Sequence, residues 1–184
     1  MQLVAVSLWV FGRFLEQTVD VDMNVFIKSD DETSTTKLLD ALESHGAEYL
    51  DSHVGKALSR LDATKLMKQE DHLYIKTSGR HVDVFLSKTI IDDKSRLRRM
   101  LVTIGDDEVY FLDPETLAAY KLMQHSNKDI VDLEHLFSVR GDKLDINYIK
   151  KLLGLCLNED GLAFTLLAEM ENKFVTFDKV DRLK

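Results

Sequence analysis

Asp20 and Asp22 stand two residues apart in an unbroken polar–apolar alternation, Thr18-Val19-Asp20-Val21-Asp22-Met23-Asn24-Val25. On a β-strand, side chains two residues apart share a face. Both carboxylates therefore project from one side, and Val19, Val21, Met23 and Val25 project from the other. A pair of this kind can hold a divalent cation through oxygen ligands. The plainer alternative is a half-exposed strand whose wet side carries Asp. Strands disfavour Asp, so two in mid-strand require a reason. A third carboxylate, Asp83, lies in a second alternating run, His81-Val82-Asp83-Val84-Phe85-Leu86. If the two strands adjoin in one sheet, where neighbours lie ~4.8 Å apart, Asp83 comes beside Asp20 and Asp22. The second run reads as a hairpin partner of the first.

Other constellations are weaker. The chain has no G-x-x-x-x-G-K-[ST] or G-x-G-x-x-G loop and no G-x-S-x-G elbow, so these phosphate cradles and this nucleophile turn are not expected. Its six histidines lack zinc-site spacing. His125, Asp129 and Asp132 fall at i, i+4 and i+7; a metal site there competes with the simpler reading of a solvated helix face. Cys156, the single cysteine, sits in the apolar run Leu152-Leu153-Gly154-Leu155-Cys156-Leu157 and reads as a buried core residue. Lys94-Ser95-Arg96-Leu97-Arg98-Arg99 is the one basic cluster. It reads first as a solvated helix face and second as a dock for phosphates or an RNA end.

The elements that would position these groups follow from pattern. A strand over residues 2–6 precedes helical turns that Gly12 stops. The carboxylate strand runs over 18–27, and residues 28–32 form a polar turn. Ser34, Thr35 or Thr36 caps a helix ending near Ser44, with Gly46 as its stop. Between 47 and 68 the pattern is ambiguous, although Ala57, Leu58 and Leu61 suggest a short helix. Residues 73–77 and 81–86 form strands about the turn Ser78-Gly79-Arg80. Gly105-Asp106-Asp107 turns between strands 100–104 and 108–112. Asp113-Pro114-Glu115 opens a helix, with Asp113 as N-cap and the only proline at its first position. Beyond it the periodicity is helical, with Ile130, Leu133 and Phe137 on one face and Ile149, Leu152, Leu153 and Cys156 on another. The expected fold is α/β (α+β): a mixed sheet flanked by helices over residues 1–112 and a C-terminal helical lobe over 113–184.

Bulk properties bound the function. With 184 residues, 45% of them hydrophobic, the chain can bury one real core and a small second lobe. A net charge of -8 makes it a poor general nucleic-acid binder but leaves room for a local basic site. One cysteine allows no internal disulfide, which fits a reducing compartment. The first eleven residues lack a basic n-region and a cleavage site, and no run approaches a membrane span of about 20 apolar residues. A soluble, cytoplasmic protein with no membrane association is expected.

Leu3-Val4-Ala5-Val6-Ser7, then Gly12, then Thr18-Val19-Asp20-Val21-Asp22 resembles the opening of the DNA polymerase β-type nucleotidyltransferase superfamily. Val82-Asp83-Val84-Phe85 resembles that superfamily's third-carboxylate strand. Leu112-Asp113-Pro114-Glu115-Thr116-Leu117, Lys121-Leu122 and Lys128-Asp129-Ile130-Val131-Asp132-Leu133 are similar to a helical signature of stand-alone AbiEii-type proteins, some of them toxins of toxin–antitoxin pairs. The resemblance spans roughly residues 3–137 and rests on order and spacing more than on any one motif.

The resemblance implies Mg2+ (or Mn2+) held by Asp20, Asp22 and Asp83, with an NTP as substrate lying between the two parts of the chain. It further implies that the metal stabilises the attacking and leaving oxygens, while Asp83 helps a substrate hydroxyl lose its proton. Ser7, Thr18, Lys121 and Lys128 match nucleotide-binding positions, with ordinary helix solvation as the alternative for the two lysines. The implied activity is transfer of NMP to a hydroxyl of an RNA end, a protein or a small molecule. An antitoxin or other protein is a further implied partner.

Departures from the family pattern favour a second reading. The usual Gly-Gly or Gly-Ser pair is replaced by Ala5-Val6 or Val6-Ser7, and valine admits a phosphate less closely than glycine. Glu16 stands where the family often has Arg, and Ser126 replaces another common Arg. The alternative is therefore a catalytically degenerate relative that binds a partner protein.

Overall fold

The computed structural model describes residues 5–7, 20–27, 30–51 and 54–176; of residues 5–7, 20, 107 and 176 it describes the backbone only. The protein is mixed α/β and divides into two compact units, Met1–Leu112 and Asp113–Lys184. Among the described residues no helix is long and apolar enough to cross a membrane.

Among the described residues the first unit is built on a seven-stranded sheet. Its strands are β1 (Ala5–Ser7), β2 (Asp20–Val25), β3 (Glu48–Leu50), β4 (His72–Thr77), β5 (Arg80–Leu86), β6 (Met100–Ile104) and β7 (Asp107–Phe111). They lie in the order β3-β4-β5-β2-β1-β7-β6. Helices α1 (Glu32–Ser44), α2 (Arg60–Glu70) and α3 (Ile90–Arg98) connect them. The central pair, β2 and β5, is parallel. The hairpin expected between these two strands is thus corrected. A tight turn cannot join strands separated by α1, β3, α2 and β4; such a crossover favours parallel pairing. The hairpin partner of β5 is β4, and the two pair from His72↔Phe85 to Thr77↔Arg80.

Alternation sorts the sheet's two faces. Val25, Leu73, Ile75, Val82, Val84 and Leu86 enter one core cluster with Leu38 and Leu39 of α1, Ala63 and Met67 of α2, and Tyr49 of β3. Burying such side chains contributes roughly 1.5–3 kcal/mol each, which holds α1 and α2 to that face. Asp31, not Ser34, Thr35 or Thr36, caps α1, its carboxylate accepting the Ser34 N–H at 3.1 Å. The helix ends at His45, followed by Gly46 at φ +71°. The helix suggested by Ala57 and Leu58 begins later, at Arg60. Ala57 instead bridges to Leu50, and Ser59 caps α2 by accepting the Asp62 N–H.

The second unit contains α4 (Pro114–Gln124), α5 (Asn127–Arg140), α6 (Ile146–Leu153) and α7 (Leu162–Met170), followed by a π-helical turn at Glu171–Thr176. Asp113 caps α4 with Pro114 in the first turn. Leu122, Leu133, Phe137, Ile149, Leu152 and Leu167 are fully buried. Cys156 departs from the sequence reading: it is exposed. Helix α6 ends at Leu153 with Gly154 as its cap, so the inward face does not continue to position 156.

Candidate functional site

The polar face of the central strands gathers the candidate carboxylates. In the parallel register of β2 and β5, Asp22 pairs with Asp83 and Asp20 pairs with His81. These positions lie opposite the core face, because their neighbours Val82 and Val84 are buried. Ser7 pairs with Asp22 across β1 and β2, so the backbone of Ser7 borders the same row. The side chains of Ser7 and Asp20, and all of Thr18, lie outside the described residues.

Asp83 is held by a neighbour on β4. Its Oδ1 lies 2.7 Å from His72 Nε2, with both side chains about one-fifth exposed (24% and 19%). The His72 ring stacks on Phe85 with centroids 4.8 Å apart. Tyr74, which pairs with Asp83, packs against His81 at 5.2 Å. An aromatic and imidazole wall thus flanks Asp83 on one side, and Asp22 lies on the other. The sequence pattern starts this strand at Leu73 and so leaves His72 outside it. The alternation His72-Leu73-Tyr74-Ile75, carried back one residue, places it on the carboxylate face.

The donor set suits a hard cation. Asp22 and Asp83 offer carboxylate oxygens from adjacent rigid strands, the ligand type that Mg2+ and Mn2+ prefer. Among the described residues no three His, Cys, Asp or Glu side chains form a metal-holding group; the Asp20 side chain is not among them.

The lysines lie in the second unit and serve different environments. Lys121 on α4 is only 12% exposed and makes ion pairs with Asp129 (3.0 Å) and Asp132 (2.7 Å) of α5. Burial pulls its pKa down, but the two carboxylates outweigh this and leave it above the ordinary lysine value. Burial pushes Asp129 up, but the Ser126 hydroxyl and Lys121 bring it below the ordinary aspartate value. Asp129 also closes a capping box with Ser126. Lys128 is exposed on the first turn of α5. His125 does not join Asp129 and Asp132 on one helical face. It is the left-handed cap ending α4, at φ 42°, and α5 starts after it.

The start of α4 holds a buried acidic pair that the sequence pattern does not reveal. Asp113 and Glu115 are 3% and 7% exposed. Glu115 Oε1 accepts the Asp145 N–H at 3.1 Å, and Asp113 accepts from the Thr116 hydroxyl at 2.6 Å. Burial, then the Asp113 carboxyl beside it, pushes Glu115 above the ordinary glutamate value. No sequence signal separates Glu115 from the solvated glutamates common in first helical turns.

The basic cluster lies on α3 and just beyond it. Lys94, Arg96 and Arg98 are exposed. Arg99 lies over the Tyr110 ring at 4.3 Å and donates to the Arg96 carbonyl at 2.8 Å. A scan against protein-family models finds no match, and a comparison with curated proteins finds no similar sequence.

Proposed function

We propose that the first unit is a metal-dependent nucleotidyltransferase domain that transfers NMP from an NTP to a hydroxyl acceptor. The observation that carries this reading is the direct register of Asp22 with Asp83 on the polar face of a parallel strand pair. Asp20 lies two residues along the same strand. These three residues would hold Mg2+ or Mn2+. A bound divalent cation supplies Lewis-acid stabilisation of charge on the triphosphate and leaving oxygen.

The chain's own groups have separate tasks. His72 engages Asp83 Oδ1 and so orients the carboxylate. Asp83 Oδ2 receives the acceptor's proton as the hydroxyl oxygen bonds to the α-phosphorus. The bond from that phosphorus to the bridging oxygen breaks, and pyrophosphate leaves. Exposed Lys94, Arg96 and Arg98 suit a phosphate-bearing acceptor such as an RNA end.

The test is thermal melting of the full chain with Mg2+ or Mn2+ and each NTP. Ligand at a hundred times its Kd stabilises the native state by about 2.7 kcal/mol, so the midpoint should rise. Asp22→Asn and Asp83→Asn should abolish the rise. An unmoved wild-type midpoint with every nucleotide rejects the proposal.

One observation favours a second reading, a nucleotidyltransferase-fold protein that binds a partner protein without catalysis. Lys121, the lysine matching the triphosphate position, is already bridged between Asp129 and Asp132. In that case no nucleotide shifts the melt.

A further inference from the structure

The sheet of the first unit ends on two unlike edges. At one end β3 is three residues long and is followed by the Leu50↔Ala57 bridge, which closes part of its open side. At the other end β6 is five residues long, Met100-Leu101-Val102-Thr103-Ile104, with no charge and no proline. All five residues are exposed; Met100 is 39%, Leu101 49%, Val102 38% and Ile104 48% accessible. Among the described residues no strand pairs with the outer side of β6, so the strand presents outward backbone groups and apolar side chains together. Proteins normally blunt such edges with Lys, Pro, a bulge or a cover.

The hairpin dictates which backbone groups face outward. Ile104 pairs with Asp107 across Gly105 and Asp106, and Gly105 has φ +64°, the first position of a two-residue turn. In such a hairpin the residues flanking the turn exchange hydrogen bonds. Ile104, Val102 and Met100 therefore bond to β7, while Leu101 and Thr103 direct N–H and C=O away from it.

We propose that β6 is an interface between two copies of this chain, paired as antiparallel strands about a two-fold axis at Val102. This pairing does not depend on the enzymatic reading. Its register matches Met100 with the partner's Ile104 and Val102 with the partner's Val102 on one face. Leu101 meets the partner's Thr103 on the other face, where the outward N–H and C=O groups exchange bonds. Val102 then occupies a non-hydrogen-bonded site, where facing side chains approach most closely.

Charge favours the same antiparallel sense. Arg98 and Arg99 precede β6, and Asp106 follows it in the turn. Antiparallel pairing at Val102 brings the arginines of each copy to the Gly105-Asp106 turn of the other, once at each end. A parallel pairing would instead set arginines beside arginines. The strand is thus self-complementary in hydrogen bonds, apolar rows and charge, as a closed two-fold interface requires.

Sedimentation of the full chain tests this. The wild-type protein should give twice the chain mass of 21.1 kDa and return to that mass on dilution. Val102→Lys should hold the single-chain mass at every concentration. In wild-type protein, exchange of the Leu101 and Thr103 amide hydrogens should slow as concentration rises, while that of Val102 stays constant. With Cys156→Ser as background, Val102→Cys should form a disulfide-linked dimer on oxidation, and Met100→Cys should not. Wild-type protein that stays at 21.1 kDa, with concentration-independent exchange at Leu101 and Thr103, overturns the proposal and leaves the edge to a partner of another sequence. A dimer that survives Val102→Lys and fails to cross-link through Val102→Cys overturns it equally.

Discussion

His72 Nε2 and Asp83 Oδ1 lie 2.7 Å apart across β4 and β5. The contact is diagonal, since His72 pairs directly with Phe85 and Asp83 with Tyr74. Diagonal neighbours on one sheet face lie within reach of long side chains. Here the Phe85 ring, stacked on the imidazole at 4.8 Å, limits where the histidine can turn. A double-mutant cycle with His72→Ala and Asp83→Ala, read by urea denaturation, should return a coupling of about 1 kcal/mol. A coupling near zero would show that water screens the pair and that His72 does not orient the carboxylate.

Lys121 should matter for folding independently of any nucleotide. Its side chain is 12% exposed and its two partners are 9% and 26% exposed. Removing one member of a buried ion pair leaves the other charge unpaired, at a cost of 3–5 kcal/mol when burial is complete. Lys121→Ala should therefore cost about 3 kcal/mol, read as faster amide exchange along α4 and α5. Lys128→Ala, on an exposed position, should leave that exchange within ~0.5 kcal/mol of wild type.

Glu115 should make stability fall as pH rises. Its folded pKa is raised above the ordinary 4.5, so the folded chain keeps a proton that the unfolded chain releases. Stability is complete below 4.5 and erodes as pH climbs through the folded value. Glu115→Gln retains an acceptor for the Asp145 N–H and removes the titration. The variant should gain on wild type as pH moves from 4.5 toward neutrality, in urea midpoints measured across that window. Asp129 acts with the opposite sign: its stabilisation is present above 3.8 and lost as pH falls through its lower folded value.

The β4–β5 turn should respond to residue type at two positions. Ser78 and Gly79 both have positive φ, 49° and 76°, the backbone of a type I′ hairpin turn. Asn-Gly is the preferred sequence there, so Ser78→Asn should stabilise by about 0.5 kcal/mol. Gly79→Ala places a Cβ in the left-handed region and should cost about 1 kcal/mol, although no neighbouring atom lies within 4 Å of that Cβ. Chemical denaturation separates the two signs. The turn also sets the register of β5, and a one-residue slip would turn Asp83 from the polar face into the core.

Local chemistry was enough to read much of this chain. Period-two alternation marked β2 and β5 and separated Asp22 and Asp83 from the valines beside them. Asp113 and Pro114 announce the start of α4, Gly46 marks a helix stop, and Gly79 and Gly105 mark turns, all three glycines with positive φ. Each signal acts between residues a few positions apart, so it survives without the rest of the fold. Pairing does not. Whether β2 meets β5 parallel or antiparallel depends on the path through α1, β3, α2 and β4. The contact of His72 with Asp83 depends on the register of a separate hairpin. Cys156 reads as buried in the sequence because helical periodicity carries no notice of where α6 stops. The burial of Glu115 and the bridging of Lys121 arise from neighbouring helices packed against α4. Such groups look like surface charge in a sequence, because only packed neighbours can remove their water.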